Sequence, residues 1–164
     1  MLNHSYQKKY FFNIAAALVI AMFFIGDRVL KNVALGIGQG QACPLLNNWL
    51  SFHYVPNPYI AFSIPLSGLF LNTLITSAIL FLICYIIYLI IVKKSFITLI
   101  LPLTFILFGA ISNLLDRFLY GFVIDYFDIR YFTIFNIADA MISIGVIYII
   151  LYEFSRKPSN QHRN

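Results

Sequence analysis

Uncharged apolar residues gather into long blocks at 10–26, 69–92 and 96–115. A bilayer core about 30 Å thick takes roughly 20 helical residues at about 1.5 Å of rise each, so each block predicts a membrane-spanning helix. Pro102 interrupts the third, which a membrane helix tolerates because neighbouring groups satisfy the freed backbone. A fourth block, 134–152, carries Asp139 near its beginning, within TIFNIADAMISIGVIYIILY. The uncharged remainder from Ala140 onward is too short to cross a bilayer, so the predicted helix includes Asp139, close to one membrane face.

Between the first two blocks lies the one long stretch outside a span, 27–68. It opens on a turn-like GIGQGQACP, and LSFHYVPNPYIAFSI then alternates aromatic and polar residues over 51–54, which predicts a short strand or hairpin. Trp49 and Tyr54 suit the headgroup zone, where an amphipathic ring keeps its polar atom wet. A polar tail covers 155–164. The expected fold is a single all-α membrane domain over 1–164 with four transmembrane helices and both termini cytoplasmic. A small β-rich segment on the outer surface is expected between helices 1 and 2. GDRVL at 26–30 and LDRFL at 115–119 echo one another, but five residues do not make a repeat.

Composition agrees. Of 164 residues, 61% are hydrophobic and 10% charged, against about a quarter charged in soluble domains. Too few polar residues remain to cover a water-soluble body of this size, and the apolar content excludes disordered and collagen-like chains. The net charge of +5 raises nucleic acid as a partner, but the basic residues are scattered in ones and twos. They read instead as topology signals. Lys8, Lys9, Lys93, Lys94, Arg156, Lys157 and Arg163 fall on one side of the spans, and Arg28, Lys31, Arg117 and Arg130 on the other, which puts both termini inside. The first block follows Lys8 and Lys9 but exceeds a usual signal-peptide apolar region and ends without an A-x-A site, so it is read as a retained span. Cys43 and Cys84 imply neither a disulfide nor a metal, and His4, His53 and His162 are read as incidental.

The acids divide more sharply than the bases. Asp27, Asp116, Asp125, Asp128 and Asp139 all fall on the outer side and only Glu153 inside. Ionisable residues at a membrane helix cost about 2.5 to 3.5 kcal/mol each at its centre, so their presence points to function. In SNLLDR, Asn113 lies three residues before Asp116 and four before Arg117, one helix face; in FNIAD, Asn136 lies three before Asp139. The connection between them, GFVIDYFDIR, carries Asp125 and is short enough to return it toward the helix ends, facing Asp139. Two close carboxylates cannot both ionise easily: one keeps a proton and polarises a carbonyl while the other activates a water. That is aspartic peptidase chemistry, and no H-E-x-x-H, G-x-S-x-G or phosphate loop competes with it. Structural readings stand beside it. Asp116 with Arg117 reads as a helix-end ion pair, Asp27 with Lys31 as an i,i+4 salt bridge, and Asp128 near Arg130 as solvated loop charge.

From Gly26 to Gly145 the chain resembles the bacterial lipoprotein signal peptidases, or signal peptidase II. GDRVLK matches the family's first block through Asp27 and Lys31. NPYIAFS matches the second through Asn57, Ala61 and Phe62, with Tyr59 where the family has glycine. GAISNLLDR matches the third through Gly109, Asn113, Asp116 and Arg117. VIDYF matches the fourth through Asp125, and FNIAD the fifth through Asn136, Ala138 and Asp139. The resemblance implies a membrane-embedded aspartic endopeptidase of the bacterial cytoplasmic membrane, its active site at the outer face, with Asp125 and Asp139 catalytic. It further implies that Asn57, Asn113, Arg117 and Asn136 position substrate and dyad, that Asp116 supports Arg117, and that Asp27 and Lys31 give structural support. The implied substrate is a prolipoprotein cut before its diacylglyceryl-modified Cys, with membrane lipid as the other partner, no nucleic acid, no metal and no cofactor. The chain is expected to act as a monomer. Tyr59 is expected to change the local backbone, because tyrosine takes positive φ less readily than glycine.

Two other classes compete. A small proton-coupled transporter would use the carboxylates as a relay, but its charges belong at the bilayer midplane rather than at one face. A non-catalytic lipid-binding scaffold would leave Asp125 and Asp139 without a task.

Overall fold

The computed structural model describes residues 4–47, 49–59, 68–92 and 97–156. Four helices, α1 (His4–Ile37), α2 (Gly68–Ile91), α3 (Ile97–Tyr120) and α4 (Ile137–Arg156), are each long and apolar enough to cross a membrane. Large apolar side chains such as Leu69, Phe81 and Leu151 are exposed along them, as helices solvated by lipid require. Hydroxyls inside the spans return to their own helix: Thr76 Oγ1 donates to the Asn72 carbonyl at 2.7 Å and Thr104 Oγ1 to that of Ile100 at 2.7 Å.

Two helix ends differ from the sequence expectation. The helix α1 does not stop at Gly26 but continues to Ile37, carrying GDRVLK within it. Asp27 and Lys31 pair on one face of the helix at 2.9 Å, so their charges are satisfied without leaving it. The helix α3 carries SNLLDR to Tyr120, the continuing helix that the spacing of Asn113, Asp116 and Arg117 implied. At the other end of that connection, residues expected to open α4 form a strand, and α4 starts at Ile137 after the Asn136 cap.

The β-structure is larger than expected and half of it comes from elsewhere. Strands β1 (Ala42–Leu46) and β2 (Leu50–Asn57) arise between α1 and α2, but β3 (Val123–Ile129) and β4 (Thr133–Phe135) come from the α3–α4 connection. They form one antiparallel sheet in the order β1-β2-β3-β4. Pairing of Val55 with Asp125 and Asn57 with Val123 brings the end of the α1–α2 segment against the α3–α4 connection. The sheet packs on the end of α1 through Ala34, Phe52, Ile124 and Tyr126, with the Phe52 and Tyr126 rings 5.4 Å apart. Trp49 is exposed at the β1–β2 turn, whereas Tyr54 is half-buried against Phe122.

Glycine sets how closely α3 and α4 approach. A Cβ on Gly109 would lie 2.5 Å from the Ala138 carbonyl oxygen, and one on Gly145 would lie 2.7 Å from that of Pro102. Backbone therefore touches backbone at both levels, as small residues permit in membrane helices. The Gly109 contact sits one turn before Asn113 and one residue before Asp139, and so delivers the amide of α3 to the carboxylate of α4.

Candidate active site

The strand β3 and the first turn of α4 bring the two predicted carboxylates together. Asn136 joins them: its Nδ2 donates to Asp125 Oδ1 at 2.7 Å, and its backbone N–H to Asp139 Oδ2 at 3.3 Å. In return Asn136 Oδ1 accepts from the Asp139 N–H at 2.8 Å, a reciprocal helix cap in which the catalytic candidate is itself the capping partner. Asn57 Nδ2 donates to the other Asp125 oxygen at 2.9 Å, and Asn113 Nδ2 to Asp139 Oδ1 at 2.7 Å. Three amides from three elements thus orient two carboxylates, and among the described residues no cation pairs with either. Asp125 is almost fully buried, while Asp139, Asn113 and Asn57 are partly open. Burial, and next the charge of Asp139, push the Asp125 carboxyl up to about 7, against hydrogen bonds from Asn57 and Asn136 that favour its ionised form.

Behind this pair lies a second cluster, in which Asp27, Lys31, Ser112 and Asp116 are fully buried. Lys31 Nζ contacts Asp27 at 2.9 Å, Asp116 at 2.8 Å and the Asn113 amide oxygen at 2.8 Å. Arg28 pairs with the second oxygen of Asp116 and donates to the Ser112 carbonyl at 3.3 Å. Ser112 Oγ donates to Asp27 at 2.6 Å, and the Ile124 N–H to Asp116 at 3.2 Å. Asp27 and Lys31 form the expected salt bridge. Asp116 and Arg117 do not form the expected helix-end pair: Asp116 turns inward to Lys31 and Arg28, while Arg117 donates to the Tyr59 carbonyl at 2.7 Å and that of Pro58 at 3.4 Å. Support of Arg117 by Asp116, which the resemblance implied, is not made by a direct bond. Asp128 likewise lies 4.0 Å from His53 on β2 rather than against Arg130, whose guanidinium stacks on Tyr131.

Residues 18–155 match the family described as signal peptidase (SPase) II. The lipoprotein signal peptidase of Clostridium tetani is 35% identical over 142 residues, covering 82% of this chain and 89% of that one. The chain belongs to the signal peptidase II family. A second relative, the lipoprotein signal peptidase of Syntrophus aciditrophicus, is 36% identical over 153 residues, covering 85% of this chain and 89% of that one. A solved bacterial membrane enzyme has the same fold, with a TM-score of 0.77 at 25% identity over 92% of this chain and 93% of that one.

Within this signal peptidase II fold, Tyr59 takes the family's glycine position without strain. Asn47 and Tyr131 are the non-glycine residues with positive φ among those described, so Tyr59 is not in that region. Its N–H instead donates to Asn57 Oδ1 at 3.0 Å, which aims the other end of that amide at Asp125. Ala61 and Phe62 lie outside the described residues. Two partners escaped the sequence reading. Arg28 had counted only as a topology signal, and Tyr126 had no polar motif around it. The one available clue was that Tyr126 directly follows Asp125 in a strand, where neighbours face opposite ways.

Asp27 and Asp116 are balanced by Lys31 and Arg28. Arg117 remains, nearly buried and within the field of Asp125, Asp139 and Asp116. Its Nε is buried without a hydrogen-bond partner among the described residues.

Proposed function

We propose that this protein is a membrane-embedded aspartic endopeptidase that removes the signal peptide from diacylglyceryl-modified prolipoproteins, with Asp125 and Asp139 as its dyad. The reading rests on family membership and on one observation above all: two carboxylates joined by Asn136 and held by amides alone. One carboxylate, ionised, takes a proton from the attacking water. The other, protonated, polarises the scissile carbonyl, and the proton taken from water passes to the amine nitrogen as the C–N bond breaks, which restores the one-proton pair. Burial together with the charge of Asp139, which both raise the Asp125 carboxyl, supports Asp125 as the holder of the retained proton in the resting pair. Asn57, Asn113 and Asn136 fix the dyad, and Arg117 holds a substrate carbonyl through its unpartnered Nε.

The polar residues of all three contributing helices gather at one end of the bundle, beside the sheet. This supports a site at the outer face of the cytoplasmic membrane, where a lipid-modified substrate keeps its acyl chains in the bilayer and brings its scissile bond to the interface. The chain acts as a single domain and as a monomer.

The deciding experiment is cleavage of a diacylglyceryl-modified prolipoprotein by the purified protein, beside Asp125→Asn and Asp139→Asn, an unlipidated substrate and a chelator. Cleavage should require the lipid, resist the chelator and fall at least about 10³-fold in both folded variants. Substantial turnover in both would exclude the dyad, and no cleavage by folded wild type would reopen the proton-relay reading.

A further inference from the structure

An α-helix leaves its first N–H groups without intrahelical partners, and in α4 three different elements take them. Asn136 accepts from Asp139, as described. Asp27 Oδ1, on α1, accepts from the Ala138 N–H at 3.2 Å. The remaining donor, the Ile137 N–H, is accepted at 2.9 Å by the hydroxyl of Tyr126 on β3. That same hydroxyl donates to Asp27 Oδ1 at 2.8 Å, so both of its roles are used and its proton has one direction to point. Tyr126 is fully buried, and its ring is held by Phe52 at 5.4 Å and Phe127 at 4.9 Å.

Asp125 and Tyr126 are consecutive strand residues, so they project to opposite sides of β3. One reaches Asn57 and Asn136, and the other reaches Asp27 and the start of α4. The two ends of the dyad are therefore tied twice, through the Asn136 side chain on one side of the strand and through the Tyr126 hydroxyl on the other. We propose that Tyr126 is a positioning residue for the reaction, whose hydroxyl holds the first turn of α4, and with it Asp139, at the distance from Asp125 that shared-proton chemistry needs. Phenylalanine would fill the same space and keep the ring contacts, but would deprive the partly buried Ile137 N–H of its acceptor and let that turn shift. Displacements of about 1 Å at a reacting group cost up to about 100-fold in rate.

This inference rests on the proposed peptidase reading, and its test separates the two. With a diacylglyceryl-modified prolipoprotein as substrate, Tyr126→Phe should lower kcat by about 10-fold to 100-fold with KM unchanged within about twofold. Leu89→Ala, in the separate apolar core where Leu89 of α2 packs with Leu103 of α3, away from the hydroxyl, should lower thermal stability at least as much and leave kcat unchanged. Equal kcat for wild type and a folded Tyr126→Phe, or a parallel loss in both variants, would overturn the role. Hydrogen exchange needs no substrate and no activity. In wild type the Ile137 amide should be as protected as the interior of α4, and in Tyr126→Phe exchange should accelerate in the first turn and not beyond Met141. An unprotected Ile137 amide in wild type would sink the proposal even if the variant did not fold, whereas failure of wild type to cleave would count against the peptidase reading alone.

Discussion

Asp27 and Asp116 are buried against Lys31 and Arg28, whereas Asp125, nearly buried, and Asp139, partly open, are held by amides. Both pairs have their oxygens hydrogen-bonded, so desolvation alone does not separate them. The difference is in what charge their partners carry. A cation beside each carboxylate offsets its charge, which suits a cluster whose work is to tie α1, α3 and β3 together. An amide orients a carboxylate without cancelling its charge, so the pair can hold one proton or none, which is the condition for acid–base work. The two sets also meet: Lys31 holds the oxygen of the same Asn113 amide whose nitrogen holds Asp139. The ion-paired set is thus the backing against which the amide-held set is aligned.

Removing the cation is the most forceful way to break this contrast. Lys31→Met would leave the buried Asp27 without a cation and Asp116 with Arg28 alone. Breaking a buried pair of this kind costs about 3–5 kcal/mol. Thermal unfolding in detergent should show a large loss of stability, with activity falling as the folded fraction falls. A pure loss of turnover with stability and substrate affinity unchanged would mean that Lys31 belongs to the chemistry instead.

A steric substitution sharpens the contrast at smaller cost. Gly109→Ala would set a methyl 2.5 Å from the Ala138 carbonyl oxygen and 2.9 Å from Ile142, forcing α4 away from α3. Overpacking of this sort costs about 1–3 kcal/mol. The bond it strains is Asn113 to Asp139, between these two helices, rather than Lys31 to Asp116. Turnover should therefore drop by about 10-fold or more with only a modest shift in unfolding temperature. Full activity would show that α4 has room to relax.

How far the sequence reading reached follows the same division. The four spans were legible because lipid demands long apolar blocks, and Asp125, Asp139 and their amides were legible because polar residues in such blocks stand out and sit at helical spacing. The family resemblance strengthened that reading. What escaped depends on partners distant in sequence. GDRVLK looked like the end of a span because its charges are visible, whereas the Lys31, Asp116 and Ser112 contacts that bury them are not. Asp116 and Arg117 invited pairing because they are adjacent, but adjacent residues on a helix do not face each other. Val123–Ile129 became a central strand only because the segment after α1 pairs with it.

The finest test of the contrast uses pH. Asp125 is held at about 7, well above its ordinary 3.8, by burial and then by the charge of Asp139. The folded state therefore binds this proton more tightly than the unfolded state does between those two values. Stability contributed by protonated Asp125 is fully present below about pH 4 and is lost as pH rises toward about 7. The steepest slope one such proton can give is about 1.4 kcal/mol per pH unit. Asp125→Asn removes the proton site whatever its effect on absolute stability, so the quantity to compare is the slope of unfolding free energy against pH. Wild type should decline across this window relative to the variant, and Lys31→Met should not flatten that decline if it folds, because it leaves the Asp125 site in place. Parallel slopes for wild type and Asp125→Asn would show that Asp125 is ionised in the folded protein throughout, and the retained proton would then have to be sought on Asp139.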